Sequence, residues 1–325
     1  MGRERIVNAA LAVLLLGVPL WAHWAGEPFT ITLATRAAIL ALAGVGLNLA
    51  LGTGGLVSLG HAVFFGLGGY AMGILAHHAQ TFTPLPLWDL PGTKSMPVIW
   101  LVAITGGALM AALIGALSLR SSGVYFIMLT LAFGQMCFYF AVSSPTYGGE
   151  DGLSIWVRNG FPGLNTLDPL QFFLLAYAVL MAVIWAMARI KASPFGLALA
   201  AARQSPARLD AVGARPFRLR LVAFVISGAV TALAGALFAD LNRFVSPSML
   251  SWQTSGELIV IVVLGGVARL YGPVAGAILL VTLEHYLGGI SEYWQIALGA
   301  ALLAVVLFAR GGLIGALAGR PVAHD

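Results

Sequence analysis

Charged residues are scarce in this chain: aspartate, glutamate, lysine and arginine make up 9% of its 325 residues. Soluble globular domains carry about 25% charged residues, so the composition excludes an ordinary soluble enzyme or binding module. The single cysteine, Cys137, excludes a disulfide within the chain. Lysine occurs only at Lys94 and Lys191, and neither stands in the G-x-x-x-x-G-K-[ST] pattern that binds nucleotide phosphates. The chain is therefore not expected to hydrolyse ATP itself.

Catalytic and metal-binding patterns are missing as well. The sequence has no H-E-x-x-H motif, and His77 and His78 are adjacent, whereas metal ligands on a helix stand four residues apart. An intramembrane enzyme is disfavoured, and we predict no catalytic residue, no metal site and no cofactor.

Charges near the membrane are few. Arg36, Glu257 and Glu284 fall towards the predicted outer ends of their spans, where Arg36 is expected to extend outward.

The chain is instead rich in long apolar runs: 60% of its residues are hydrophobic, and its mean hydropathy is +0.94. A helix needs about 20 apolar residues to cross a bilayer. The runs predict an all-α polytopic membrane protein, a single transmembrane domain over 1–325 with some helices broken by glycine. About ten spans are expected, at 6–24, 30–51, 56–76, 97–119, 123–143, 169–189, 219–239, 250–267, 272–288 and 293–310. The first run has no signal-peptide cleavage pattern and is expected to be retained.

The basic residues predict the orientation. With the N-terminus inside, 13 of the 17 lysines and arginines fall in inner loops, as the positive-inside rule requires. Both termini are therefore expected in the cytoplasm. The net charge of +5 then reflects membrane topology, and nucleic-acid binding is not expected. Asp240 and Arg243 flank an outer turn, where they are expected to pair with each other.

The stretch GLVSLGHAVFFGLGGY at 55–70 combines glycines with a histidine in an apolar run. On a helix, one stripe of small residues suits close helix packing; it holds Ala62, Gly66, Gly69 and Gly73. An adjacent stripe is the candidate lining of a translocation pathway; it holds His61, Phe65, Gly68 and Met72. For the histidine, a hydrogen bond within the bundle is the alternative. The glycines at 52–60 predict a non-helical entry, and GGVARLYGPVAGA at 265–277 weakly echoes GGLVSLGHAVFFG at 54–66.

The one long inner loop, 190–219, carries two helix-start signals. Ser193-Pro194 and Ser205-Pro206 each place serine at the N-cap and proline at the first helical position. The second helix is predicted from Pro206 to about Val212, and Gly213 is a suitable stop. Such a loop forms a compact knob that another protein can grip. A plain basic loop is the alternative.

Four stretches, in order, resemble the LivM-type permeases of bacterial ATP-driven (ABC) importers for branched-chain amino acids. They are GLNLALGTGGLVSLGHAVFFGLGGYAMGILA, GVYFIMLTLAFGQM, SPFGLALAAARQSPARLDAVGARPFRLRLVAFVISG and ELIVIVVLGGVARLYGPVAGAIL. The resemblance implies a multi-pass permease subunit of the bacterial inner membrane that forms half of a pathway for branched-chain or other small apolar amino acids. It implies a cytoplasmic coupling helix within 203–213. The candidate coupling residues are Arg203, Ser205, Pro206, Arg208, Asp210 and Gly213.

The resemblance also implies partners. They are a second, LivH-like permease in a hetero- or homodimer, two cytoplasmic ATPase subunits that bind the ATP, and a periplasmic or lipid-anchored solute-binding protein, in addition to membrane lipid. The outer segments 77–96 and 144–168 are either a docking surface for that binding protein or plain solvated loops. Two alternatives stay open: a related permease for urea or short amides, and an ion-coupled secondary transporter, which would use broken helices too.

Overall fold

The computed structural model describes residues 2–84, 91–289, 296, 298–300, 303 and 311–319. Its α-helices are α1 (Gly2–Ala25), α2 (Pro28–Asn48), α3 (His61–Thr81), α4 (Met96–Ser118), α5 (Val124–Val142), α6 (Pro169–Ala192), α7 (Pro194–Gln204), α8 (Pro206–Ala211), α9 (Pro216–Asn242), α10 (Trp252–Gly265), α11 (Gly272–Gly288) and α12 (Gly312–Ala318). The two short strands β1 (Leu153–Ser154) and β2 (Phe244–Val245) pair antiparallel.

Seven helices of the described part are long and apolar enough to cross a membrane: α1 to α6 and α9. The apolar helix α10 has 14 residues and α11 has 17. The predicted fold class, an all-α polytopic membrane protein, is confirmed. The number of spans and the orientation stay predictions, and the last predicted span, 293–310, falls almost entirely outside the described residues.

The sequence signals for helix starts explain where several of the helices begin. Helices α2, α6, α7, α8 and α9 each begin at a proline, whose fixed φ and missing N–H suit the first helical position. The carboxylate of Asp168 caps α6 by accepting a hydrogen bond from Leu170 N at 3.0 Å. This cap satisfies a backbone donor that the start of the helix would otherwise leave free.

The centre of the bundle is the crossing of α3 and α9, onto which α2 and α4 also pack. Two glycines let the backbones touch. A Cβ atom at Gly68 would lie 1.8 Å from the carbonyl oxygen of Ala232, and one at Gly235 would lie 1.8 Å from that of Phe65. Small residues at such crossings bring helices together by van der Waals packing in lipid. Helices α2, α3 and α9 are consequently mostly buried, whereas only small parts of α1 and α5 are buried.

The predicted break between α2 and α3 is confirmed, but the predicted span 56–76 is wrong at its start, because α3 begins at His61. The end of α2 widens into a π-helical turn over Leu49–Thr53. Gly55 then takes a φ of +69°, which favours glycine. The helix therefore does not resume until five residues later than predicted.

Candidate functional site

The candidate coupling loop, 190–219, lies at the end of the bundle that carries the start of α1 and the turns 49–60 and 266–271; we call it the basic end. Both predicted caps are present. Ser193 Oγ accepts a hydrogen bond from Gly196 N, and Ser205 Oγ accepts one from Arg208 N, each at 3.4 Å. Helix α8 starts at Pro206 and ends at Ala211, and Gly213 follows with a φ of +87°. The serine–proline pairs thus divide the loop into two short helices.

The outer face of this loop is exposed. Pro206, Arg208, Asp210 and Gly213 are all exposed. Val212 lies next to these residues, outside the long apolar helices, and its apolar side chain is 84% exposed. This face of the loop therefore presents charges of both signs and one apolar side chain to its surroundings.

The inner face of the loop is anchored to the bundle. Leu199 and Ala202 of α7 are fully buried. The Arg203 guanidinium donates a short hydrogen bond to the carbonyl oxygen of Gly52, and its stem lies against Gly55, where a Cβ would come within 2.8 Å of Arg203 Cγ. At the end of α6, Lys191 Nζ donates a similarly short bond to the carbonyl oxygen of Ala268. Arg203 and Lys191 thus each form a hydrogen bond from the loop to the backbone of a different turn.

Those two turns contact each other. Asn48, buried at the end of α2, accepts a hydrogen bond from Ala268 N at 3.0 Å and donates one to the Arg269 carbonyl at 2.7 Å. A Cβ at Gly52 would lie 2.7 Å from Ala268 N, so only glycine fits there. The stretches that weakly echo each other in sequence are therefore neighbours, and each leads into a helix, α3 or α11. We call 49–60 and 266–271 the paired glycine turns.

The predicted packing stripe of α3 faces the segment that follows α9. Cβ atoms added at Gly66, Gly69 and Gly73 would come within 2.4 to 2.9 Å of side chains of residues 245–250. At the first turn of α3, Ala62 N donates a hydrogen bond to Ser255 Oγ of α10 at 2.9 Å. These four positions make close contacts between α3 and its neighbours.

The four candidate pathway residues are not brought together on one open surface. His61 is fully buried; its Nε2 lies 2.9 Å from Ser227 Oγ of α9, and its ring contacts Phe64 and Phe224 edge-on. Gly68 packs on the α9 backbone, and Met72 is fully buried. Of the four, Phe65 lines a wide cavity. The contact of His61 corresponds to the alternative expectation, a hydrogen bond within the bundle.

That cavity, of about 730 Å³, opens between α2, α5, α10 and the segment after α9, towards the end opposite the basic end. Its charged and polar lining includes Arg36, Glu150, Ser248, Ser251, Gln253, Thr254 and Glu257; its apolar lining includes Leu40, Phe65, Phe138, Tyr139, Val142, Phe238, Pro247 and Met249. Arg36 was expected to extend outward, and no partner was predicted for it. Instead its Nη2 pairs with Glu284 Oε1 at 3.0 Å.

At the same end, Arg158 anchors the outer segment 144–168. Its guanidinium donates to the carbonyl oxygens of Thr166, Leu241 and Asp240 at 2.9, 3.1 and 3.2 Å. Burial lowers the pKa of Arg158, and the nearby carboxylate of Asp240 opposes that shift. The expected pair of Asp240 with Arg243 is wrong: the buried Asp240 carboxylate accepts hydrogen bonds from the backbone and side chain of Asn159.

Sequence reasoning missed Asn48, Arg158 and the Arg36–Glu284 pair. Asn48 carried a usable signal, since an amide within an apolar helix needs hydrogen-bond partners. The partners of Arg158 and Arg36 are 8 to 248 residues away, and no local pattern identifies them. Among the described residues, no group of three or more His, Cys, Asp or Glu side chains could hold a metal ion.

Comparison with known proteins gives one family. The family model for the permease component of branched-chain amino acid transport systems matches residues 29–319. The high-affinity branched-chain amino acid transport system permease protein LivM of Escherichia coli K12 is 28% identical, with 96% of this chain and 75% of the relative covered. LivM of Salmonella typhimurium is 28% identical, with 88% and 70% covered. The probable branched-chain amino acid transport permease protein LivH of Methanocaldococcus jannaschii is 24% identical, with 65% of each covered. No solved structure matches.

Proposed function

The chain belongs to the family of permease components of branched-chain amino acid transport systems, and from this premise we propose how it works. It is the membrane subunit of an ATP-driven importer and forms half of a translocation pathway for branched-chain or other small apolar amino acids. Because the LivM relatives are bacterial, we assign it to the bacterial inner membrane, with the basic end in the cytoplasm. The observation that carries the proposal is the loop 190–219, exposed on one face and bonded to the paired glycine turns on the other.

ATP hydrolysis takes place on separate subunits. The sequence has no phosphate-binding P-loop, and the exposed face of α8 offers a docking surface for an ATPase. Arg208 and Asp210 give it charges of both signs, and Val212 gives it an exposed apolar group. Ser205 and Pro206 act indirectly, because they fix where α8 begins.

Movement of the docked loop reaches the bundle through two hydrogen bonds. Arg203 holds the carbonyl of Gly52 and Lys191 holds that of Ala268. Since Asn48 joins the two turns, a displacement of α7 shifts the starts of α3 and α11 together. Phe65, one turn into α3, lines the cavity, so the same displacement changes the cavity. We propose this cavity as the outer part of the pathway.

The remaining partners follow from the family. The occurrence of both LivM and LivH proteins among the relatives supports a pair of homologous permeases, this chain with a LivH-like one. The end opposite the basic end receives solute from a binding protein. The outer segment 144–168 suits this contact because Arg158 and the β1–β2 pair hold it to α9.

The test substitutes two exposed residues of the coupling loop. Asp210→Ala with Gly213→Ala removes a charge and strains the backbone after α8, since Gly213 has a φ of +87° with open space around it. We expect membrane insertion to be unchanged and ATP-driven L-leucine uptake into vesicles containing all subunits to fall severalfold or more.

A matched control is available at the basic end. Arg120 is exposed, and Gly123, three residues later, has a φ of +62° with nothing within 4 Å. Arg120→Ala with Gly123→Ala therefore makes the same kind of change in the loop between α4 and α5. Uptake by this control should stay near that of the unchanged protein. Normal uptake by the Asp210/Gly213 variant would contradict docking through α8.

A further inference from the structure

We infer that Arg36 and Glu257 form a recognition site for the charged groups of an α-amino acid, in which Glu257 takes the ammonium and Arg36 the carboxylate. The inference rests on the proposed function and names the contacts that the cavity makes with its solute. Both side chains line the same cavity, Arg36 from α2 and Glu257 from α10.

Each of the two side chains has unused hydrogen-bonding capacity. Within the described residues, the Arg36 guanidinium uses Nη2 alone, in its bond to Glu284 Oε1, and its buried Nε has no partner. Glu257 has neither an ion pair nor a hydrogen bond with another described residue. A guanidinium offers five N–H donors in a planar fork that fits a carboxylate. The remaining donors of Arg36 and the carboxylate of Glu257, in one cavity, are complementary to a zwitterion.

The charge balance also favours a ligand that carries an ammonium group. Glu150 and Glu257 line the cavity, Glu284 is bonded to Arg36, and Arg36 is the one cation among the described lining residues. Carboxylates therefore outnumber cations.

The rest of the lining suits an apolar side chain. Phe65, Phe138 and Phe238 come from α3, α5 and α9, and Met249 from the segment after α9. Binding sites for small molecules are typically apolar, with a few polar groups that fix the ligand's orientation. A ligand with both charges at one end and a branched hydrocarbon at the other matches this distribution.

The experiment measures ligand binding to the complete transporter in nanodiscs, without nucleotide or binding protein, by saturation-transfer difference NMR. The probes are L-leucine, 4-methylpentanoate, which lacks the ammonium, and 3-methylbutylamine, which lacks the carboxylate. For the unchanged protein we expect leucine to bind at least about tenfold more tightly than either analogue. Each analogue lacks one charged group and therefore loses at least one charge-assisted hydrogen bond. Glu257→Gln should bind leucine no better than 4-methylpentanoate. Glu257→Asp should regain part of the preference for leucine.

Asp151→Asn is the control, because it removes a carboxylate from an exposed residue at the same end that does not line the cavity; its preference should be unchanged. A Glu257→Gln protein that still prefers leucine over 4-methylpentanoate overturns the inference, and so does an unchanged protein without that preference. Thermal unfolding of each variant verifies that it is folded. If the unchanged transporter shows no ATP-driven uptake, the proposed function fails, whereas the analogue series still decides the recognition site.

Discussion

Arg203→Ala is expected to uncouple ATP hydrolysis from transport. The substitution removes the hydrogen bond from the Arg203 guanidinium to the Gly52 carbonyl and the contact of its stem with Gly55. A hydrogen bond to a charged group contributes about 1.5–3 kcal/mol. Because Arg203 is exposed, we take the lower end of that range, about 1.5 kcal/mol, and each 1.36 kcal/mol is tenfold in rate. The rate of L-leucine uptake per ATP hydrolysed should fall about tenfold.

The assay compares uptake and ATP hydrolysis in the same vesicles, so that poor assembly, which lowers both rates, is separated from uncoupling, which lowers their ratio. Arg203→Lys keeps a donor near Gly52 and should restore part of the ratio. Arg218→Ala removes an exposed arginine of the same loop and should leave the ratio unchanged. An unchanged ratio in Arg203→Ala, or an equal loss in Arg218→Ala, would refute transmission through this contact.

Two further predictions concern stability. Gly68→Ala places a Cβ 1.8 Å from the carbonyl oxygen of Ala232, so α3 and α9 must separate at a cost of about 1–3 kcal/mol, which lowers the thermal unfolding midpoint in detergent. Gly106→Ala on α4, with nothing within 4 Å, should not lower that midpoint, because alanine favours a helix over glycine. Equal midpoints for the two variants would contradict the close crossing. Arg158→Ala removes three hydrogen bonds to backbone carbonyls and should speed proteolysis within 144–168, whereas Arg243→Ala, whose guanidinium has no hydrogen bond within the described residues, should not. Unaltered cleavage of the Arg158 variant would show that the segment is held in another way.

The long apolar helices were predictable because their cause is local. A helix in lipid needs a continuous apolar run, and proline or a capped serine marks its start. The predicted span 272–288 coincides with α11, and the two serine–proline pairs of the loop both start helices. The start of α3 was misplaced because Leu56, Val57 and Leu59 satisfy hydropathy, whereas the glycines beside them let the chain leave the helix.

The cavity and the outer anchor were not predictable from local patterns. Arg36 and Glu284 are 248 residues apart, and the carboxylate of Asp240 bonds to Asn159, 81 residues earlier. Each pairing depends on which helices become neighbours, and that depends on the packing of the whole bundle. The face of α3 that meets α9 was likewise ambiguous, because glycines occur on several faces of this helix. The close approach of Gly68 to α9 fixes it.

The most direct test of ATP-driven transport is the initial rate of L-leucine uptake by vesicles that contain this chain, its LivH-like partner and the two ATPase subunits, supplied with the binding protein. Uptake is expected to require ATP on the side of the basic end, and to stop when the ATPase subunits are omitted or the ATP is replaced by a non-hydrolysable analogue. Uptake by this chain alone, driven by a sodium or proton gradient without ATP, would contradict the account.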